Sequence, residues 1–171
     1  MLQSLHVHNF ALIEDAKVDF DRGFTVFTGE TGAGKSILVD AFGIALGGRA
    51  AAGMLRTGTD AFWVQAVFDV QDERICALLQ EQGIEADDFL FLKRRVTAAG
   101  KSQSSVNGIP VPLAVLKQFA ELLVDIHGQH ENQLLLQPRA PRFFTDAFGG
   151  KTAEQVLESY RLQYDKYEKA K

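Results

Sequence analysis

The sequence predicts an α/β fold with a mixed sheet, an antiparallel β portion and the start of a coiled-coil helix. Three observations carry that expectation. The glycine-rich octapeptide GETGAGKS (29–36) stands between a β-like run and a helix-like one, two stretches within 60–108 alternate apolar with polar residues, and residues 152–171 repeat apolar positions in steps of four and three. The chain has 171 residues, 46% hydrophobic and 23% charged, which suffices for one substantial core and rules out a disordered tail. Its net charge of -4 means that nothing global draws it to nucleic acid or to an anionic membrane, so any such contact must come from a local basic patch. A single cysteine, Cys76, excludes an internal disulfide framework. The opening MLQSLHVHNFALIEDAK lacks the basic flank and apolar stretch of a signal peptide, and ILVDAFGIALGG is broken by Asp40 well short of the ~20 residues of a membrane span. A reducing, cytoplasmic setting without membrane contact is expected.

Along the chain, Ala16, Val18 and Phe20 alternate with Lys17 and Asp19, and Phe24, Val26 and Thr28 follow the turn Asp21-Arg22-Gly23, which predicts a hairpin whose second strand runs into a central sheet. Ile37, Leu38, Ala41, Phe42, Ala45 and Leu46 then recur at helical spacing until Gly47-Gly48. FWVQAVFDV places Phe62, Val64, Ala66, Phe68 and Val70 on one side of a strand, with Trp63 and Val67 partly covered on the other. Asp72 caps a helix running through Gln82, and Gly83 ends it. FLFLKRRV and SQSSVN form a second hairpin, and Asn107-Gly108 is a tight-turn signal. Pro112 opens a helix carrying Leu113, Leu116, Phe119, Ala120 and Leu123, after which Leu123-Val124-Asp125-Ile126 re-enters the sheet. In the tail, Thr152 and Gln155 have capping-box spacing, and Ala153, Leu157, Tyr160, Tyr164 and Tyr167 make a short heptad seam, read either as a coiled coil or as a surface helix.

The octapeptide fits the phosphate-loop (P-loop) pattern and has a mechanism. Gly29, Gly32 and Gly34 free the backbone, so that N–H groups of the loop, including those of Glu30, Thr31 and Ala33, converge on phosphate oxygens. The helix N-terminus faces the same phosphates, Lys35 reaches the β and γ phosphates, and the Ser36 hydroxyl ligates magnesium. Hydrolysis also needs a strand-end acid. Asp125 in LLVDIHGQ is the best candidate and Asp69 in AVFDV a weaker one, and neither supplies a pair of acids.

The stretches TGETGAGKSI, LGGRA, MLRTGTDAFWVQAVF, KRRV with VNGIPVPL, and LLVDIHGQHENQLLL resemble the N-terminal head segment of the SMC-like, ABC-type ATPases, in particular their bacterial DNA-repair branch. The resemblance implies a P-loop NTPase lobe of the ABC/SMC head type, with residues 1–150 as the ATP-binding lobe and 151–171 as the root of a coiled-coil arm. It implies ATP and Mg2+ as ligands and a role in recombinational double-strand break repair, in which ATP-driven head engagement controls DNA holding. A C-terminal lobe of the same protein would bring the signature motif and the acidic residues, a second head would complete an ATP-bridged homodimer, and the setting would be cytoplasmic and nucleoid-associated. The fragment alone would bind ATP with little turnover. Gln129 in IHGQHE maps onto the glutamine loop as a second magnesium ligand, and Arg49 onto an arginine approaching the γ-phosphate, although a helix-terminal arginine meeting carbonyls reads as well there and Arg56 is a second candidate.

Other residues have weaker claims. Lys93, Arg94, Arg95 and Lys101 concentrate positive charge that would grip a DNA backbone, or else form a solvated hairpin balanced by Asp87 and Asp88. His127, His130 and Glu131 fall short of the ligand count of a zinc site, and His6 and His8 read as solvated. Two other functional classes compete with the head lobe: a self-sufficient P-loop kinase, for which no arginine-rich lid is evident, and a non-catalytic DNA-binding or coiled-coil module with a vestigial loop.

Overall fold

The computed structural model describes residues 1–29, 34–70, 72–125, 145 and 148–170. They fall into two compact units, Met1–Val124 and Asp125–Lys171. The first unit is built on six strands: β1 (Leu2–Phe10), β2 (Ile13–Asp19), β3 (Ala61–Asp69), β4 (Phe89–Thr97), β5 (Ser102–Val106) and β6 (Ile109–Val111). Their order in the sheet is β2-β1-β3-β4-β5-β6, and each neighbouring pair is antiparallel.

Side-chain alternation gives this sheet two different faces. Leu5, Val7 and Phe10 of β1, Phe62, Val64, Ala66 and Phe68 of β3, Leu90, Leu92 and Val96 of β4, and Val106 of β5 are buried. Helix α1 (Lys35–Ala45) packs on this side through Ala41, Ile44 and Ala45, with Phe42 against Phe68. Helices α2 (Glu73–Glu81) and α3 (Leu113–Leu123) bury Ile75 and Leu79, and Leu116, Phe119 and Ala120, respectively. Each large side chain removed from water here contributes on the order of 1.5–3 kcal/mol. The opposite parity, with Trp63, Phe89, Phe91, Lys93 and Arg95, stays partly or wholly open.

The helices and the second hairpin follow the sequence expectation closely. Asp72 caps α2 by accepting the Arg74 backbone N–H at 2.9 Å. Two other segments differ from it. The first hairpin is β1 with β2, turning at Ala11-Leu12, rather than 16–20 with 24–28. Residues 24–29 carry no ladder, Phe24 is 93% exposed, and the segment touches β2's end through Phe27 edge-on to Phe20. The expected re-entry at 123 is also different: Leu123 is the last residue of α3, Val124 and Asp125 lie outside any ladder, and Ile126 falls outside the described residues.

In the second unit, helix α4 spans Gly150–Ala170, so Thr152 lies inside its first turn rather than at its cap. Tyr160 stacks on Tyr164, and Tyr164 tilts against Tyr167, which puts the three on one stripe that is exposed to solvent. No helix among the described residues is long and apolar enough to cross a membrane.

Candidate nucleotide site

Helix α1 begins directly after the phosphate-loop glycines. Gly34 is its cap, with φ 93° and ψ -18°, a left-handed conformation that a side chain would strain. The cap carbonyl accepts the Leu38 N–H at 3.0 Å, and no side chain caps the helix. Its first turn also holds no acidic residue, and a helix N-terminus of this kind favours an anion. Lys35 folds back so that Nζ donates to the Gly29 carbonyl, which aims the ammonium at the two ends of the loop. Ser36, the next residue, is exposed at the same helix end. Gly29, Gly34, Lys35 and Ser36 are thus gathered at one point, while Glu30, Thr31, Gly32 and Ala33 lie outside the described residues, as do Gln129, His127, His130 and Glu131. The donor set suits a polyphosphate with magnesium: a cation, a helix N-terminus and a hydroxyl.

Residues 4–171 match the AAA domain family. The chain belongs to it. Among curated relatives, the DNA repair protein RecN of Bacillus subtilis (strain 168) is 40% identical over 171 residues, covering 99% of this chain and 30% of that protein. RecN of Halalkalibacterium halodurans is 43% identical over 169 residues, covering 98% and 30%. The chain therefore spans about a third of the length of the curated relatives it matches. The solved Smc head domain with an extended coiled coil from Pyrococcus furiosus, bound to the C-terminal domain of ScpA, superposes with a TM-score of 0.66 at 20% identity, over 97% of this chain and 46% of that one. That likeness establishes the fold, a P-loop head of the ABC/SMC type.

Within this AAA domain the remaining candidates separate. Arg49 lies past the far end of α1, whose 11 residues span about 16 Å at ~1.5 Å per residue; within one copy it is not beside Lys35. Arg56 is engaged elsewhere, donating from Nη1 to the Leu12 carbonyl at 2.9 Å and pairing with Glu14 at 3.5 Å. Asp69 closes β3 and pairs with Arg22 at 3.6 Å. Asp125 is exposed just beyond α3. Among the described residues no cluster of three or more His, Cys, Asp or Glu side chains gathers to hold a metal.

The basic residues of the second hairpin do not form one patch, which corrects the sequence reading. Lys93 and Arg95 point to the open face, but Arg94 has the parity of Leu92 and Val96 and is 3% exposed. It donates from Nη2 to Ser102 Oγ at 2.7 Å and from Nη1 to the Gly48 carbonyl at 3.4 Å. Burial lowers its pKa from the ordinary guanidinium value. Lys101 precedes β5 in the hairpin loop and is exposed. His6 and His8 are not simply solvated either. Both ring systems contact Trp63, at 4.6 and 5.4 Å, and His6 Nε2 meets Asp15 at 2.6 Å. Lys93 Nζ sits 4.0 Å above the same indole. Cross-strand register produces this cluster, since His8 faces Trp63 and Trp63 faces Arg95.

Proposed function

We propose that this chain is the ATP-binding N-terminal lobe of an SMC-like DNA-repair ATPase, with residues 1–150 as the nucleotide lobe and 151–171 as the root of a coiled-coil arm. The observation that carries the reading is the start of α1, where a glycine cap, a helix N-terminus without a side-chain cap and the folded-back Lys35 meet. Gly29 to Ser36 cradle the phosphates, and Ser36 with Gln129 would hold magnesium, which neutralises phosphate charge when bound. Lys35 contributes a charge-assisted contact to the same phosphates.

Two further features support a lobe that is completed by other parts of a head. The apolar run Phe24–Phe27, next to the loop, carries no ladder, and it suits pairing with a C-terminal lobe of the same protein. The exposed tyrosine stripe of α4 suits a second helix returning along an arm. ATP would then bridge this head to a second one in a homodimer, and head engagement would control the holding of DNA during recombinational double-strand break repair. The relatives' shared role in DNA repair supports that setting, which is cytoplasmic and nucleoid-associated.

Titration calorimetry of ATP with Mg2+ tests the nucleotide assignment. Lys35→Ala removes a contact of roughly 1.5–3 kcal/mol, so affinity falls at least about tenfold with the thermal transition unchanged. Equal affinity in variant and parent refutes the role given to Lys35.

A further inference from the structure

A cleft of about 780 Å³ opens between the end of α1, the start of α3 and the β5–β6 edge. Three cations line it, Arg49, Arg94 and Lys117, together with the Ser102 and Ser104 residues, and no Asp or Glu is among its lining residues. In a chain of net charge -4 this is a marked segregation of positive charge.

Arg94 is the anomaly at its base. The side chain is 97% buried, its bonds go to one hydroxyl and one carbonyl, and Nε has no hydrogen-bond partner among the described residues. A buried cation without a counter-ion is unfavourable, and a buried donor without an acceptor adds to the cost. The end of α1 does not resolve this. Its last turn closes on itself, with the Gly47 N–H on the Ile44 carbonyl at 3.0 Å and the Gly48 N–H on the Gly43 carbonyl at 2.8 Å. At this end the Gly48 carbonyl accepts from Arg94 at 3.4 Å. The close approaches are built in: a Cβ at Gly48 would lie 2.7 Å from the Gly43 carbonyl oxygen, and one at Gly47 would lie 2.7 Å from Lys117 Cγ. The two glycines thus let α1 end tightly and let the Lys117 stem lie against that end.

We infer that this cleft binds a phosphate-class anion. Guanidinium forks, a lysine ammonium and serine hydroxyls are the donor set that phosphoryl oxygens prefer. The phosphate is carried either on a nucleic-acid strand or as the free anion. The site lies at the opposite end of α1 from Lys35 and does not depend on the nucleotide reading.

Nitrogen-15 NMR of the 171-residue chain reads the two sites separately. Inorganic phosphate and an unphosphorylated ten-residue oligothymidylate are titrated at constant ionic strength. Saturable shifts are expected at Gly47, Gly48, Arg49 and Ser102 and at the Arg94 Nε–H. In Arg49→Glu/Lys117→Glu, a change of two exposed side chains, the apparent affinity should fall at least tenfold while shifts at Gly34 and Lys35 persist. Saturation by the oligonucleotide at concentrations where phosphate has no effect assigns the strand backbone as the source, and equal saturation by both assigns the free anion. Linear, non-saturating shifts, or saturation unchanged in the double variant, overturn the proposal. Lys35→Ala should abolish phosphate shifts only at the loop, so that failure of one site is distinguishable from failure of the other.

Discussion

Arg94 donates to Ser102 Oγ across the β4–β5 ladder, 2.7 Å away, and no carboxylate among the described residues pairs with it. This guanidinium occupies a core position of β4, between Leu92 and Val96. Replacing a buried charge by an apolar side chain of similar volume is often neutral or favourable. Arg94→Met should therefore leave the protein as stable as the parent or raise stability by up to about 2 kcal/mol in urea. A loss of more than ~1 kcal/mol would mean that the neutral partners compensate the charge fully.

The pH dependence of α2 rests on its cap. Asp72 has its pKa lowered from 3.8 to about 2, first by the side-chain hydrogen bond from Arg74 and then by the Arg74 backbone N–H. A carboxylate with a depressed folded-state pKa adds stability that is fully present above the unfolded value and is lost as pH falls through the folded one. Asp72→Ala should thus lower Tm at neutral pH. The gap between parent and variant should shrink as pH falls from about 4 to about 2, the interval between the two pKa values. A gap that stays constant down to pH 2 would show that the carboxylate charge is not what caps the helix.

Lys93 and Arg95 are the members of the basic hairpin that share an open sheet face with Trp63, the chain's single tryptophan. If they hold a DNA backbone, Lys93→Glu/Arg95→Glu weakens binding to all sequences alike and flattens the salt dependence by about 0.9 per lost phosphate contact on duplex DNA. Because Lys93 lies over the indole, binding should also change Trp63 fluorescence. An unchanged salt slope would return these side chains to the role of a solvated face.

The parts that were legible in the sequence are those where local chemistry and tertiary context agree. Helix α1, the Asp72 cap and the β4–β5 hairpin each combine a periodic run with a matching terminator. The side of β4 that carries Arg94 was not legible, because FLFL is apolar in both phases and leaves the strand's parity undetermined until Val96. The first hairpin departs from its sequence pattern for a similar reason. Asp21-Arg22-Gly23 has the stronger turn chemistry, whereas the turn actually used takes its positive φ angles at Asn9 and Ala11, 56° and 50°, without a glycine. The cleft itself is not legible in the sequence, since Arg49, Arg94 and Lys117 converge only through packing.

Nucleotide turnover is where the site's chemistry sets its own limit. Lys35, the α1 terminus and Ser36 stabilise phosphate charge that already exists in the ground state. Acceleration requires groups that act where charge develops and where water is activated. The sequence offers Asp125 and, more weakly, Asp69 for that task; Asp69 pairs with Arg22 at a strand end, and neither supplies a pair of acids. Residues 1–171 alone should therefore bind ATP yet turn it over near background, and Asp125→Asn should change that background little. Addition of a separately produced C-terminal lobe should raise phosphate release by orders of magnitude, and Lys35→Ala should abolish the gain. Robust hydrolysis by the 171-residue chain alone, lost in Asp125→Asn, would instead favour a self-sufficient phosphotransferase, because a single lobe would then hold both the phosphate cradle and the acid that activates water.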